Sequence, residues 1–246
     1  KIICLSITLA FASLVPAYAQ ADQVPLEAYG ALPDVEDVAL SPSGNRLAVL
    51  RSVAGERMII VMDESLEPIF TINVEDSKVR SFDLITDDVL LMQRSTTEDL
   101  GYQFRGDKAE IFQAFAVAIN RGTSELIFDD RAGLLNTVAG YYGTRMVDGT
   151  PTAFFGAIEL MRGGSNQKAY IFKHGRPSLY AVDLETNRSR RVDGSASPGL
   201  GRSWLIGEEG EVKARLDNSA LIGNWNIRGT NGTIASGSNP TASVSL

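Results

Sequence analysis

His174, in the stretch FKHGRPSLY, is the one imidazole in 246 residues. Any serine- or cysteine-based acyl transfer run by this chain would have to take its general base from that position. The surroundings oppose such a role, because Gly175 and Pro177 mark a loop between strands, where His174 reads as a solvated turn histidine. A serine nucleophile of the hydrolase kind needs G-x-S-x-G on a sharp strand-to-helix turn, and the pattern is absent. Gly163-Gly164-Ser165-Asn166-Gln167 comes nearest but lies in a polar loop and ends in glutamine, while the run from Gly194 through Ser195 and Ser197 to Gly199 has the right residue types at the wrong spacing. No catalytic residue is assigned.

Metal chemistry is equally poorly served. One histidine and one cysteine, Cys4, cannot furnish a nitrogen and sulfur ligand set. Asp129-Asp130 and Glu208-Glu209 are sequence neighbours that would point to opposite faces of a strand, and no D-x-D-x-D-G calcium loop occurs. Spacing leaves open a glycosidase-like carboxylate pair drawn from distant strands but singles none out, and no phosphate-cradling G-x-x-x-x-G-K-[ST] is present. No cofactor and no metal are therefore expected. Phe154, Phe155, Tyr170, Phe172 and Tyr180 sit in strand patterns and read as core. Arg105, Lys108, Arg162, Lys168, Lys173 and Arg176, with His174, fall in or beside two long polar insertions. They are the candidates for facing a second domain or a peptide terminus.

The elements that position these residues begin after residue 19. The stretch KIICLSITLAFASLVPAYAQA has a basic start, an uncharged apolar run, Pro16, and the small-residue pattern Ala17-Tyr18-Ala19, which is the form of a secretory signal peptide over 1–19. The apolar run from Ile2 to Val15 is shorter than the roughly 20 residues of a membrane-spanning helix, so no membrane span is expected. Cys4 leaves with the leader, and a cysteine-free mature chain suits an oxidising compartment, of which a bacterial periplasm is the simplest. A formal net charge of -7 without a basic block or an Arg-aromatic stripe excludes nucleic acid as a partner. With 44% hydrophobic and 22% charged residues the chain reads as globular.

From Asp34 onward, short β-branched and aromatic runs are cut every ~8–12 residues by Gly, Pro, Asn or Asp, the pattern of an all-β chain. LAVL, MIIVM, PIFTI, VLLM, FAVAI, ELIF, TAFFGAI, AYIF, LYAVDL, VKARL and NWNI are the candidate strands, and Pro25 to Leu32 could form a helical turn. Tight polar turns feed an apolar strand at Ser43-Gly44, Asp87-Asp88, Asp148-Gly149 and Glu209-Gly210; from Gly44 to Asp88, Gly149 and Gly210 the steps are 44, 61 and 61 positions. A second hairpin follows each. Units of four strands at such intervals predict a partial β-propeller of about four blades, each a four-stranded antiparallel sheet, over 34–228. Residues 20–33 form an N-terminal extension, and 229–246, without a charge after Arg228, a polar tail or a truncated blade. A β-sandwich would reuse the same turn chemistry and is the competing fold. The lengthened second and third units predict extended hairpins or loops on one face.

In order along the chain, VEDVALSPSGNRLAVLRSVAGERMIIVMD, SKVRSFDLITDDVLLMQRSTT, GTRMVDGTPTAFFGAIEL, PSLYAVDLETNRSRRVDGS and RSWLIGEEGEVKARL resemble the propeller of exported prolyl oligopeptidase-type (S9) serine peptidases. The resemblance runs from about Pro25 to Trp225. It implies a propeller that covers a C-terminal α/β-hydrolase domain holding a Ser-His-Asp triad and that admits peptides by size. The hydrolase domain would be the partner and peptides the substrates. The departure is that the sequence stops about four blades in, so the expected role is the substrate-gating part of the peptidase. The alternative is a secreted, non-catalytic β-propeller that binds or scaffolds other envelope proteins.

Overall fold

A computed structural model describes residues 33–74, 77–99, 106–164, 170–219 and 221–238. The expected leader, the extension as far as Leu32 with its helical turn, and Arg105 and Lys168 lie outside the described residues. All regular elements among the described residues are strands. The first sheet is β1 (Val35–Leu40), β2 (Leu47–Val53), β3 (Glu56–Met62) and β4 (Pro68–Asn73); the second is β5 (Lys78–Leu84), β6 (Val89–Asp99), β7 (Lys108–Ala118) and β8 (Thr123–Leu126). The third joins β9 (Tyr141–Val147), β10 (Thr150–Ala157), β13 (Ser178–Asp183) and β14 (Ser189–Asp193), with the hairpin β11 (Leu160–Arg162) and β12 (Tyr170–Phe172) inserted between β10 and β13. The fourth is β15 (Gly201–Ile206), β16 (Val212–Asn218), β17 (Asn224–Gly229) and β18 (Gly232–Ser238). Each is an antiparallel meander.

Alternation along the strands explains how the sheets stack. On β6, Leu90 and Met92 enter a cluster with Ala48, Leu50, Ile59 and Val61 of the first sheet. Their neighbours Val89 and Leu91 enter another with Ala153, Phe155 and Val182 of the third. On β10 and β13 the pattern repeats: Phe155 and Tyr180 face the second sheet, whereas Phe154, Leu179 and Ala181 pack on Trp204 and Ile206 of the fourth. A strand in a two-layer sandwich buries one face, so burial on both faces excludes that arrangement. The chain is a run of four propeller blades, packed face to face in chain order, with each buried aliphatic or phenyl side chain contributing about 1.5–3 kcal/mol. First strands of neighbouring blades lie side by side, β1 with β5 and β9 with β15.

The turns follow local chemistry. Asp148 and Gly149, both in the left-handed region at φ 51 and 79, form the tight two-residue hairpin turn that suits strand twist. β18 lies within the segment set apart for its uncharged composition: Gly229 pairs with Gly232 across a turn, and the strand that follows is an exposed edge with little need of apolar residues.

In a meander the first and third turns lie at one end of the sheet and the second at the other. At the first end neighbouring blades are linked by side chains. Ser43 and Asn45 donate to Asp87, Arg121 donates to the Glu185 carbonyl at 2.9 Å, Asn187 to the Leu126 carbonyl at 3.0 Å, and Arg145 to the carbonyls of Gly207 and Ile206 at 3.1 and 3.0 Å. The opposite end carries both long insertions, between β6 and β7 and between β10 and β13.

Candidate functional site

The insertion end of the third blade is built around Glu159. Its backbone follows β10, pairs with Leu134 across an isolated bridge, and is flanked by the bond from Leu135 N–H to the Ile158 carbonyl at 3.0 Å. The side chain is buried, accepts from Lys173 Nζ at 3.0 Å and the Tyr180 hydroxyl at 3.2 Å, and forms an ion pair with Arg191, whose Nε lies 3.1 Å away. Burial alone would raise the Glu159 carboxyl, but hydrogen bonds from Lys173 and Ser178 and the charge of Arg191 outweigh it and hold the group below its ordinary value. Burial, reinforced by the Glu159 charge, raises the Tyr180 phenol. The carboxylate thereby anchors the foot of the β11–β12 hairpin to β13 and β14.

His174 is half-buried rather than solvated: its Nε2 lies 3.3 Å from Ser195 Oγ, and its Nδ1 is buried without a partner among the described residues. A base in a hydrolytic triad needs a group on that second nitrogen to orient it and stabilise the imidazolium, so the pair lacks the third member. Arg176 donates to the Ala196 carbonyl at 2.9 Å. His174 and Arg176 thus hold the segment between the third and fourth blades. Arg162 pairs in register with Tyr170 across the exposed hairpin, and Lys108 makes a solvent-exposed ion pair with Asp99 at 3.6 Å, a contact worth little. The structure brings Lys173, His174 and Arg176 to one region and leaves Lys108 on the neighbouring blade.

A second polar cluster occupies the same end of the second blade. Glu110 accepts from Ser95 Oγ at 2.6 Å, from Arg80 Nη2, and from Lys78 Nζ at 3.3 Å, while Arg80 Nε donates to Ser95 Oγ at 2.7 Å. These bonds, that of Ser95 first and Arg80 next, lower the Glu110 carboxyl to about 2. A carboxyl depressed in the folded state contributes stability that is complete above its unfolded value and is lost as pH falls through the folded one. Thermal melts should therefore drop progressively between about pH 4.5 and about pH 2, and Glu110→Gln should flatten that profile. A variant profile parallel to the wild type would contradict the assignment.

Between the third and fourth blades, Asp193 accepts from Trp204 Nε1 at 2.6 Å and from Arg215, and Arg202 grips Asp217 at 2.6 and 2.7 Å. Burial would raise the Asp193 carboxyl, yet the bonds from Arg215, Trp204 and the Gly194 backbone lower it. Asp193→Ala strands the indole N–H of Trp204, which is 3% exposed. The expected cost is about 2–3 kcal/mol in urea unfolding, with a smaller loss for Asp193→Asn, which keeps an acceptor. Equal losses for the two variants would show that the charge, and not the indole bond, is what matters.

Glu159, Glu110 and Asp193 escape a sequence reading because each stands alone in its stretch and finds partners 11 to 30 positions away across a sheet. Among the described residues no group of three or more His, Cys, Asp or Glu could hold a metal ion, and no helix is long and apolar enough to cross a membrane.

No protein-family model matches the chain, and no curated protein matches it. Several solved structures are similar in part. The Dos1 propeller is 12% identical, with 84% of this chain covered, 47% of that one, and a TM-score of 0.40. TolB from Acinetobacter baumannii is 11% identical, with coverage of 80% and 52% and a TM-score of 0.30. The AtxE2 isopeptidase in its apo form is 12% identical, with coverage of 85% and 41% and a TM-score of 0.27. The chain spans about half the length of the first two. The class of this protein, an all-β chain of propeller blades, rests on sheet order and two-sided burial.

Proposed function

We propose that the chain is the substrate-gating propeller portion of an exported, periplasmic serine peptidase of the prolyl oligopeptidase type, whose triad resides on an α/β-hydrolase domain outside this sequence. The observation that carries the reading is the ordered series of five resembling stretches. Each coincides with a defined part of a blade: β1–β3, β5–β6, β9–β10, β13–β14 and β15–β16. Under this reading the end bearing the β6–β7 and β10–β13 insertions faces the hydrolase domain, and the linked end faces solvent. A folded protein is excluded by size while an extended peptide passes.

The test is the parent gene read onward in every frame, with the purified product assayed on short peptides. The expected result is further blades, then a G-x-S-x-G domain, and peptide turnover abolished by a serine-directed phosphonate. A gene without a hydrolase domain would replace the peptidase by the scaffold alternative. Phosphonate-sensitive turnover by the 246-residue chain alone would overturn the division of labour between the domains.

A further inference from the structure

At the insertion end, between the second blade and the segment entering β9, lies a cavity of about 280 Å³ lined by Gln93, Phe112, Val138, Ala139, Gly140 and Tyr141. Its two polar side chains each already hold a partner. The Gln93 amide donates to Ser81 Oγ at 3.0 Å, and the Tyr141 hydroxyl bonds Thr144 at 2.7 Å. The other lining residues carry no polar side chain, and Phe112, 46% exposed, stands at the rim. Sites for whole drug-sized ligands run to about 300–1,000 Å³, so this volume suits a single bulky side chain.

The rim carries charge. The guanidinium carbon of Arg80 lies 5.9 Å from the centre of the Phe112 ring. Arg80 and Lys78 share a single carboxylate, Glu110, which leaves one positive charge in excess. Both cations are about half exposed, at 44% and 53% of the side chain. Arg80 uses Nε on Ser95 and Nη2 on Glu110, and its Nη1 has no partner among the described residues. Lys78 Nζ spends two donors, on Thr97 and Glu110. Lys78 keeps one spare donor and Arg80 three, the pair on Nη1 and one on Nη2; beside an apolar pocket of one-residue size, they match a free carboxylate bonded to a carbon that bears an apolar side chain.

We infer that this pocket binds the carboxyl-terminal residue of a peptide, with its apolar side chain against Phe112 and its α-carboxylate on Lys78 and Arg80. The inference rests on the peptide reading above and names the end of the peptide that the propeller holds.

The test is fluorescence polarisation with the full chain and a fluorescein-labelled hexapeptide ending in phenylalanine, as the free acid, as the C-terminal amide, and with alanine in the last place. The acid should bind at least about tenfold tighter than the amide or the alanine form. Phe112→Ala should remove the preference for phenylalanine, Lys78→Met the preference for the acid, and Lys213→Met on the fourth blade neither. The two tested side chains are about half exposed, so both variants should fold, with the melt of Lys78→Met lowered only by the part of the Glu110 cluster that Lys78 supplies. Binding that ignores the terminus and both variants would overturn the pocket while leaving the peptidase reading intact. No binding of any peptide at millimolar concentration would also overturn it, and the peptidase reading would then stand or fall on the hydrolase domain alone.

Discussion

Phe155→Ala is expected to lower the unfolding free energy by about 3–5 kcal/mol, the cost of a large cavity in a packed core. Phe155 is fully buried, meets Phe128 edge-on at 6.4 Å between ring centres, and lies 5.2 Å from the ring of Tyr141. Those three rings belong to the cluster that joins the second and third blades, so the loss falls on the joint between them. Urea unfolding should show it with the slope unchanged, and the melting temperature should fall on the order of 10 °C. Phe154, the next residue, faces the fourth blade, and its alanine variant should be comparably costly. A cost below about 1 kcal/mol at either position would contradict the two-sided burial that defines the blades.

Gly156→Ala should be nearly as damaging for a different reason. A Cβ at Gly156 would stand 2.2 Å from the carbonyl oxygen of Ala139 and 3.0 Å from its carbon, and a backbone group cannot rotate away as a side chain can. β10 and the segment entering β9 are held there by two bonds, Ala139 N–H to the Gly156 carbonyl at 2.8 Å and Gly156 N–H to the Gly140 carbonyl at 3.0 Å. Overpacking of this kind costs about 3 kcal/mol, at the upper end of its usual range. Because Ala139 and Gly140 also line the cavity between the blades, peptide binding should weaken together with stability. Gly164→Ala, where an added Cβ meets nothing within 4 Å, is the matched control and should be neutral. Equal stability of the two variants in a thermal melt would refute the argument.

The strands that the sequence announces are those buried on both faces. VLLM, FAVAI, TAFFGAI and LYAVDL show unbroken apolar runs because alternate residues serve different clusters. The first strands of the later blades, KVRSFDL, YYGTRMV and GRSWLI, escape because they mix polar and apolar residues and many of their side chains are only half-buried. The insertions are legible as lengthened spacing between turns. Their ion pairs are not, since Glu159 meets Arg191 and Glu110 meets Arg80 only after the chain has folded back across a sheet. For His174, Gly175 and Pro177 identify the loop but carry no sign that Ser195 closes over the ring.

The links between blades have a consequence for how such a chain can vary. Arg121, Asn187, Arg145 and Arg131 each reach across to a carbonyl of the neighbouring blade. A carbonyl is supplied by any amino acid, so these four links fix one residue and leave the other free to drift, whereas the carboxylates of Asp87 and Asp193 bind side chains of the neighbouring blade and fix both partners. Away from those two carboxylates, a blade can change at such a joint without its neighbour having to change in step. The family likeness among the four units is carried by turn geometry and burial, while the letters themselves scarcely repeat.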